Sequence, residues 1–547
     1  MPLLILFTSL LLITSFTHGA SHSNIINSAC INTLYPDLCY SSVDSDATLN
    51  TIQTNKDVIE LTVNKTKDAI QANFHHINNL ITNTANLTKR AKTALHECSD
   101  IEDHTLEQLD TVIHYLREYP NKKPLRRYAD DLKTLMSTAI TNKETCLDGL
   151  LYHDDVACKR LRKLIIKGQE HGRKMCSNVL AMIKHMTDTD IANNPEENSM
   201  PRRRLKGENG IMWPAWLSAG DRKLLENGVV NPDAIVSKDH CRGNFTTVSA
   251  AVEAAPSKSS KRFVIKILAG TYNEYVHVQR SKHNIVLIGD GMGKTVITGN
   301  KNVGAKDGTS TQESATVAAL GEGFLARDIT FVNTAGTIGE QAVALRVGSD
   351  LSAFYNCSME GYQDTLYVQY NRQFFVNCLV TGTIDFIFGN AAVVFQSCYI
   401  VARKPNPTQQ NMITAQGRTD INMPTGIVLH QCNIDAAPDL KAVQGSISTY
   451  LGRPWKKFSR TVIMRSTISD MVRKEGWSPW DGDFGLDTLY YREYQNTGPG
   501  ADTSARVTWK GWGVIKDPNE AQSFTVAKFI NGENWLPSTG FPFVPGL

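Results

Sequence analysis

The 547-residue chain has no long run of one charge sign, and its formal net charge is only +3. Nothing in that balance calls for nucleic acid as a partner. Past the first twenty residues, no stretch is apolar for the length that crosses a bilayer. No CxxC pair occurs and no histidine stands at metal-ligand spacing from the cysteines, so no zinc site is read. A G-x-S-x-G elbow is also missing, which leaves a serine-hydrolase triad without support. "GDGMGKT" at 289–295 has the look of a phosphate loop, but Ile288 stands where that loop requires Gly. The "TVITG" that follows reads as strand, not helix, so the segment is taken as a turn.

What is present begins with "MPLLILFTSLLLITSFTHGA", which has the length and shape of a secretory signal peptide over 1–20. It lacks a basic start, so a retained signal anchor is the alternative; with cleavage, no membrane association is expected. Eleven cysteines in a secreted chain imply disulfides and at least one thiol unpaired within the chain. Glycosylation sequons start at Asn64, Asn86, Asn244 and Asn356, the last set inside an expected strand.

The two halves differ in periodicity. Over 24–190 apolar residues recur at three and four, as at Val58, Leu61, Ile70 and Phe74, and the stretch from Asn55 to Cys98 contains no Gly. This predicts an all-α, up-and-down four-helix bundle. Residues 191–235 are polar, with Pro, Gly and the run Arg202 to Arg204. This linker carries two basic candidate processing sites, Arg204–Leu205 and Lys223–Leu224, where a protease would act on exposed chain.

From 236 to 547 the sequence turns to short strand-like runs divided by Gly, Asn and Asp. "FYNCSM", "FFVNCLV" and "VVFQSCYI" place Cys357, Cys378 and Cys398 at intervals of 21 and 20 residues. A period near twenty with strand composition predicts stacked coils, an all-β right-handed parallel β-helix. A β-propeller needs about twice that period and ranks second.

The period gives meaning to "GTIDFIFGN" (382–390). Alone, Asp385 in that apolar setting reads as a turn residue capping backbone amides. Asp364, in "GYQDTLY", stands 21 residues earlier, so stacking makes the two carboxylates lateral neighbours about 4.8 Å apart in strand spacing. Two such acids divide into one with a raised pKa and one that ionises, the division that acid and nucleophile roles require. Gln363 and Gln341 add amides able to donate to an oxyanion. "YLGRPW" supplies Arg453 to hold the ionised partner and Trp455 as a platform for a sugar ring.

In order along the chain, "SATVA", "QAVALRVGSD", "GYQDTLYV", "GTIDFIFGN" and "LGRPW" resemble the motifs of plant pectin methylesterases. "CINTLYPDLC" and "TNKETCLDGL" resemble the inhibitor-like pro-region of that family. The resemblance implies hydrolysis of galacturonate methyl esters of pectin to pectate and methanol. Asp385 would be the nucleophile and Asp364 the acid and then the base. Gln341 and Gln363 would stabilise the oxyanion, with Arg453, Trp455 and Thr311 contacting substrate. It further implies disulfides Cys30–Cys39, Cys98–Cys146 and Cys378–Cys398, no cofactor, a pro-region acting on the catalytic domain, proteolytic release, and a place in the plant cell wall. One departure is visible: the family's aromatic in "TF-x-SAT" is Gln312 here, which leaves the substrate subsite around it open. A second reading makes the chain a regulatory inhibitor acting through its helical half. A β-helical lyase or polygalacturonase is disfavoured, because paired glutamines suit an ester oxyanion better than a glycosidic leaving group.

Overall fold

The computed structural model describes residues 24–44, 52–151, 155–194, 204–206, 212–214, 231–239 and 241–547. The expected signal peptide and the Lys223–Leu224 processing signal lie outside them. The chain divides into two compact units, 1–200 and 201–547.

The first unit is helical: α1 (Pro36–Asp44), α2 (Asn55–Asn83), α3 (Lys89–Glu118), α4 (Leu125–Asp148) and α5 (Val156–Asn193). The four long helices pack each against the next, and α2 also packs against α5, which closes a bundle. Local sequence sets the ends. Thr54 and Asp57 form a reciprocal capping box at the start of α2, with Thr54 N donating to Asp57 at 2.8 Å. Disulfides join Cys30 to Cys39 and Cys98 to Cys146, the second tying α3 to α4. The bundle also buries charge. Lys143 donates to Glu102, whose other oxygen accepts from Asn73 at 2.9 Å and Gln169 at 2.6 Å. Both charged side chains are essentially inaccessible, and the amides complete the carboxylate's shell.

The second unit is a parallel β-helix whose coils contribute strands to sheets of eleven, eight and seven strands. The seven-stranded sheet matters most here. Its strands, in chain and spatial order, are β1 (Val276–Val278), β2 (Val317–Ala319), β3 (Leu345–Val347), β4 (Leu366–Val368), β5 (Ile387–Gly389), β6 (Asn411–Gln416) and β7 (Thr449–Pro454). Neighbours pair in parallel, with Leu345 opposite Leu366 and Leu366 opposite Ile387, so the 21-residue period is the coil length. "GDGMGKT" is the connection between strands Ile285–Ile288 and Thr295–Gly299.

Like residues stack along the interior. Phe354, Phe375 and Phe395 lie ring on ring, with centroids 4.5 and 4.7 Å apart. The outer face of the eleven-stranded sheet is covered by the C-terminal segment, where Phe524, Trp535 and Phe541 pack on Phe374 and Val394.

Two expectations are corrected. Cys378 and Cys398 are free thiols, not a disulfide. With Cys357 and Cys432 they occupy one corner of successive coils, where in-register side chains stack, Cys378 N donating to the Cys398 sulfur at 3.4 Å. Their thiols instead lie against corner carbonyls, Cys378 at 3.3 Å from Val376 O and Cys398 at 3.4 Å from Gln396 O. Asn356 is not inside a strand; it is the left-handed residue (φ 52°) between Ser352–Tyr355 and Ser358–Glu360. Its amide donates to Asp328, and Asn377 in the next coil repeats the conformation.

Candidate active site

The two aspartates sit at the corners where the chain enters β4 and β5. Each has a left-handed backbone, φ 60° at Asp364 and 51° at Asp385, a conformation that short polar Asp tolerates. The corners touch: Asp364 N donates to Ile384 O at 3.0 Å, and Thr365 Oγ1 bridges to Tyr362 O and Thr381 O. Gly382 is needed for this approach. A Cβ there would lie 2.3 Å from that of Phe386 and 2.7 Å from Tyr362 O. Turn chemistry and site chemistry thus use the same residue at Asp385.

Both carboxyls are nearly sealed, with 8% of Asp364 and 6% of Asp385 exposed. Arg453, on β7, grips Asp385 with both edges of its fork, Nε to Oδ1 at 2.8 Å and Nη2 to Oδ2 at 2.6 Å. Burial pushes the Asp385 carboxyl up, while the Arg453 bonds and charge pull it back. Asp364 has no such fork. Burial and the charge of Asp385 push it well above the usual carboxylate range, with only the more remote Arg453 opposing. The pair therefore separates into Asp385, which ionises first, and Asp364, which keeps its proton.

Gln363 precedes Asp364, and Gln341 lies one coil back, where Ala342 N donates to Gln363 O at 3.2 Å. Both side chains are half-buried, and neither amide forms a side-chain hydrogen bond to another described residue; Gln341 Oε1 is buried without a partner. Trp455 is half-buried and meets Phe388 edge-on at 6.0 Å. Thr311 is half-buried too, on the turn ahead of β2.

Asn64, Asn86 and Asn244 are exposed. Arg204 and Leu205 open a short strand, Arg204–Lys206, paired antiparallel with Met212–Pro214.

Further groups complete the site, of which Arg403, Tyr367 and Phe388 escaped the sequence reading. Trp480 and Trp477 of "GWSPWDGDF" divide between groove and core: Trp477 is buried against Tyr491, whereas Trp480 is exposed with the Arg453 guanidinium 4.3 Å over its ring. Arg403 holds the Asp364 corner, donating to Gly361 O at 3.0 Å and Tyr362 Oη at 2.6 Å. Tyr367 and Phe388 stack at 4.3 Å on the outer face beside the acids. Their 21-residue separation was the available signal.

The arrangement offers a carboxylate poised beside a retained proton, two uncommitted amides, and aromatic surface suited to a sugar. Comparisons with known proteins agree. The family model "Pectinesterase" matches residues 233–533, and "Plant invertase/pectin methylesterase inhibitor" matches 24–182. "Pectinesterase 1" of Citrus sinensis is 56% identical over 529 residues, covering 96% of this chain and 89% of that protein. "Pectinesterase/pectinesterase inhibitor U1" of Solanum lycopersicum is 54% identical over 530 residues, covering 97% and 90%. Among solved structures, "Pectin methylesterase from Carrot" is 59% identical with a TM-score of 0.58, covering 59% of this chain and all of that one. The chain belongs to the pectinesterase family, with an inhibitor-like helical domain preceding its esterase domain.

Proposed function

We propose that the chain removes methyl groups from pectin through an acyl-enzyme on Asp385. The observation that carries the mechanism is the unequal holding of the two acids, one forked by Arg453 and one not. Asp385, ionised, attacks the ester carbonyl carbon. The carbonyl oxygen takes up the electron pair as an oxyanion, to which the Gln341 and Gln363 amides donate. Collapse expels the methoxy group, which takes the proton of Asp364 and departs as methanol. Asp364, now ionised beside a neutralised Asp385, removes a proton from water. The hydroxide attacks the galacturonyl carbon of the mixed anhydride, and the Asp385 carboxylate leaves. Galacturonic acid is freed and Asp364 is protonated again, so the cycle closes. Trp455 and Thr311 contact the sugar chain.

The domain reading accompanies this proposal: signal peptide over 1–20, inhibitor-like pro-region over 24–190, linker over 191–235, esterase over 236–547. Secretion to the plant cell wall, N-glycosylation, action of the pro-region on the catalytic domain, and cleavage at Arg204–Leu205 or Lys223–Leu224 belong to the same reading. It is tested by incubating the purified chain with methyl-esterified pectin and measuring methanol together with polymer length. Methanol with unchanged length is expected; shortening of the polymer without methanol overturns the esterase reading.

A further inference from the structure

The outer face of the seven-stranded sheet carries one continuous row of residues. Strand register aligns Ala318, Arg346, Tyr367, Phe388, Ala415 and Arg453 on β2 to β7. Ala318, Tyr367, Phe388 and Ala415 form an apolar cluster separate from the interior core, which fixes this row as the floor of an outer surface. It carries two arginines with different duties. Arg453 is committed to Asp385 and covered by Trp480. Arg346, four strands and about 19 Å away, has no carboxylate partner among the described residues.

Arg346 is nevertheless held. Its Nε donates to Gln369 Oε1 at 2.7 Å, and Gln369 Nε2 donates to Gln312 Oε1 at 3.2 Å. Both glutamines are buried, Gln369 completely. A cation that only solubilises a surface needs no such support, since exposed arginine is well hydrated. One neutral acceptor, Gln369 Oε1, itself held by Gln312, fixes the guanidinium plane through Nε without cancelling its charge, and the terminal edge remains for a planar anion. Gln312, the residue that departs from the family's aromatic, is therefore part of a device that orients a charge.

We propose that Arg346 binds a free carboxylate of the pectin chain two strand steps, about 10 Å, along the sheet from Asp385, with Gln369 and Gln312 as its positioning residues. This rests on the esterase reading. An esterified unit offers Arg346 no charge, whereas a unit already hydrolysed does. The enzyme consequently favours substrate in which free and esterified units lie on one chain.

The test uses the full chain and two probes: pectin with part of its methyl groups removed, and pectin that is fully methyl-esterified. With Arg346→Gln, KM for the partly de-esterified polymer rises about tenfold, the effect of losing one charge-assisted contact. Its kcat, its melting temperature, and KM for the fully esterified polymer stay as in the parent. Arg346→Lys recovers part of the loss, and Gln369→Met shows the same selective rise to a smaller extent. An equal rise on both polymers, or no rise on either, overturns the proposal. Calorimetric binding of an oligogalacturonate with every carboxylate free gives a readout independent of turnover. Arg346-dependent binding without methanol release from the parent would sink the esterase reading and leave the carboxylate site; methanol release with Arg346-independent binding would do the reverse.

Discussion

Each unit of this protein buries charge, and the two do it in opposite ways. In the helical unit Glu102 and Lys143 face each other, and Asn73 and Gln169 satisfy the carboxylate oxygen that Lys143 leaves. In the β-helix two acids share one arginine, so Asp364 is left with burial and a like charge against it. A compensated cluster specifies packing; an under-compensated one stores reactivity. Breaking each cluster should therefore give different readouts.

The largest effect is expected at the nucleophile. Asp385→Asn should lower methanol release roughly a thousandfold or more while the fold persists. Near-parental turnover with an unchanged melting curve would remove Asp385 from that role. In the helical unit, Lys143→Met strands a buried carboxylate and should cost about 3–5 kcal/mol of stability, read from denaturant unfolding of the full chain. Replacing Lys143 and Glu102 together by apolar residues should recover most of that. If the single change costs under about 1 kcal/mol, on the scale of a surface pair, the contrast between the units fails.

Arg453→Lys sharpens the comparison from the other side. A point charge cannot reproduce the fork, so Asp385 becomes harder to ionise and the acid limb of kcat/KM should move to higher pH. A limb that stays in place would mean the fork does not govern the ionised acid. The smallest effect concerns stability alone. The Asp364 carboxyl is raised above its unfolded value, so folding holds its proton more tightly and stability is lost as pH climbs above that unfolded value. Asp364→Asn should accordingly raise the melting temperature near neutral pH, with the gain shrinking toward pH 4. Equal gains at both values would show that the substitution acts through packing.

Sequence alone carried a good deal of this. Apolar spacing of three and four with no Gly in the α2–α3 region determined long helices, because that pattern has nothing else to bury. A period of 21 determined the coil, and with it that Asp364 and Asp385 stack, since in-register parallel strands turn sequence period into lateral contact. The same period also holds Arg346, Tyr367 and Phe388, which lie inside the quoted motifs but went unread because attention there fell on the acids and amides. Other things only the tertiary structure decided. Cys378 and Cys398 are stacked neighbours in one ladder, Cys378 N donating to the Cys398 sulfur at 3.4 Å, yet both are free thiols. Asn356 looked like strand because a single left-handed residue turns a corner without the Gly or Pro that usually marks one. The fork from Arg453 spans 68 residues and two strand steps, and Gln312 reaches Gln369 across 57. Such side-chain closures depend on how insertions between coils are absorbed, and sequence spacing does not encode that.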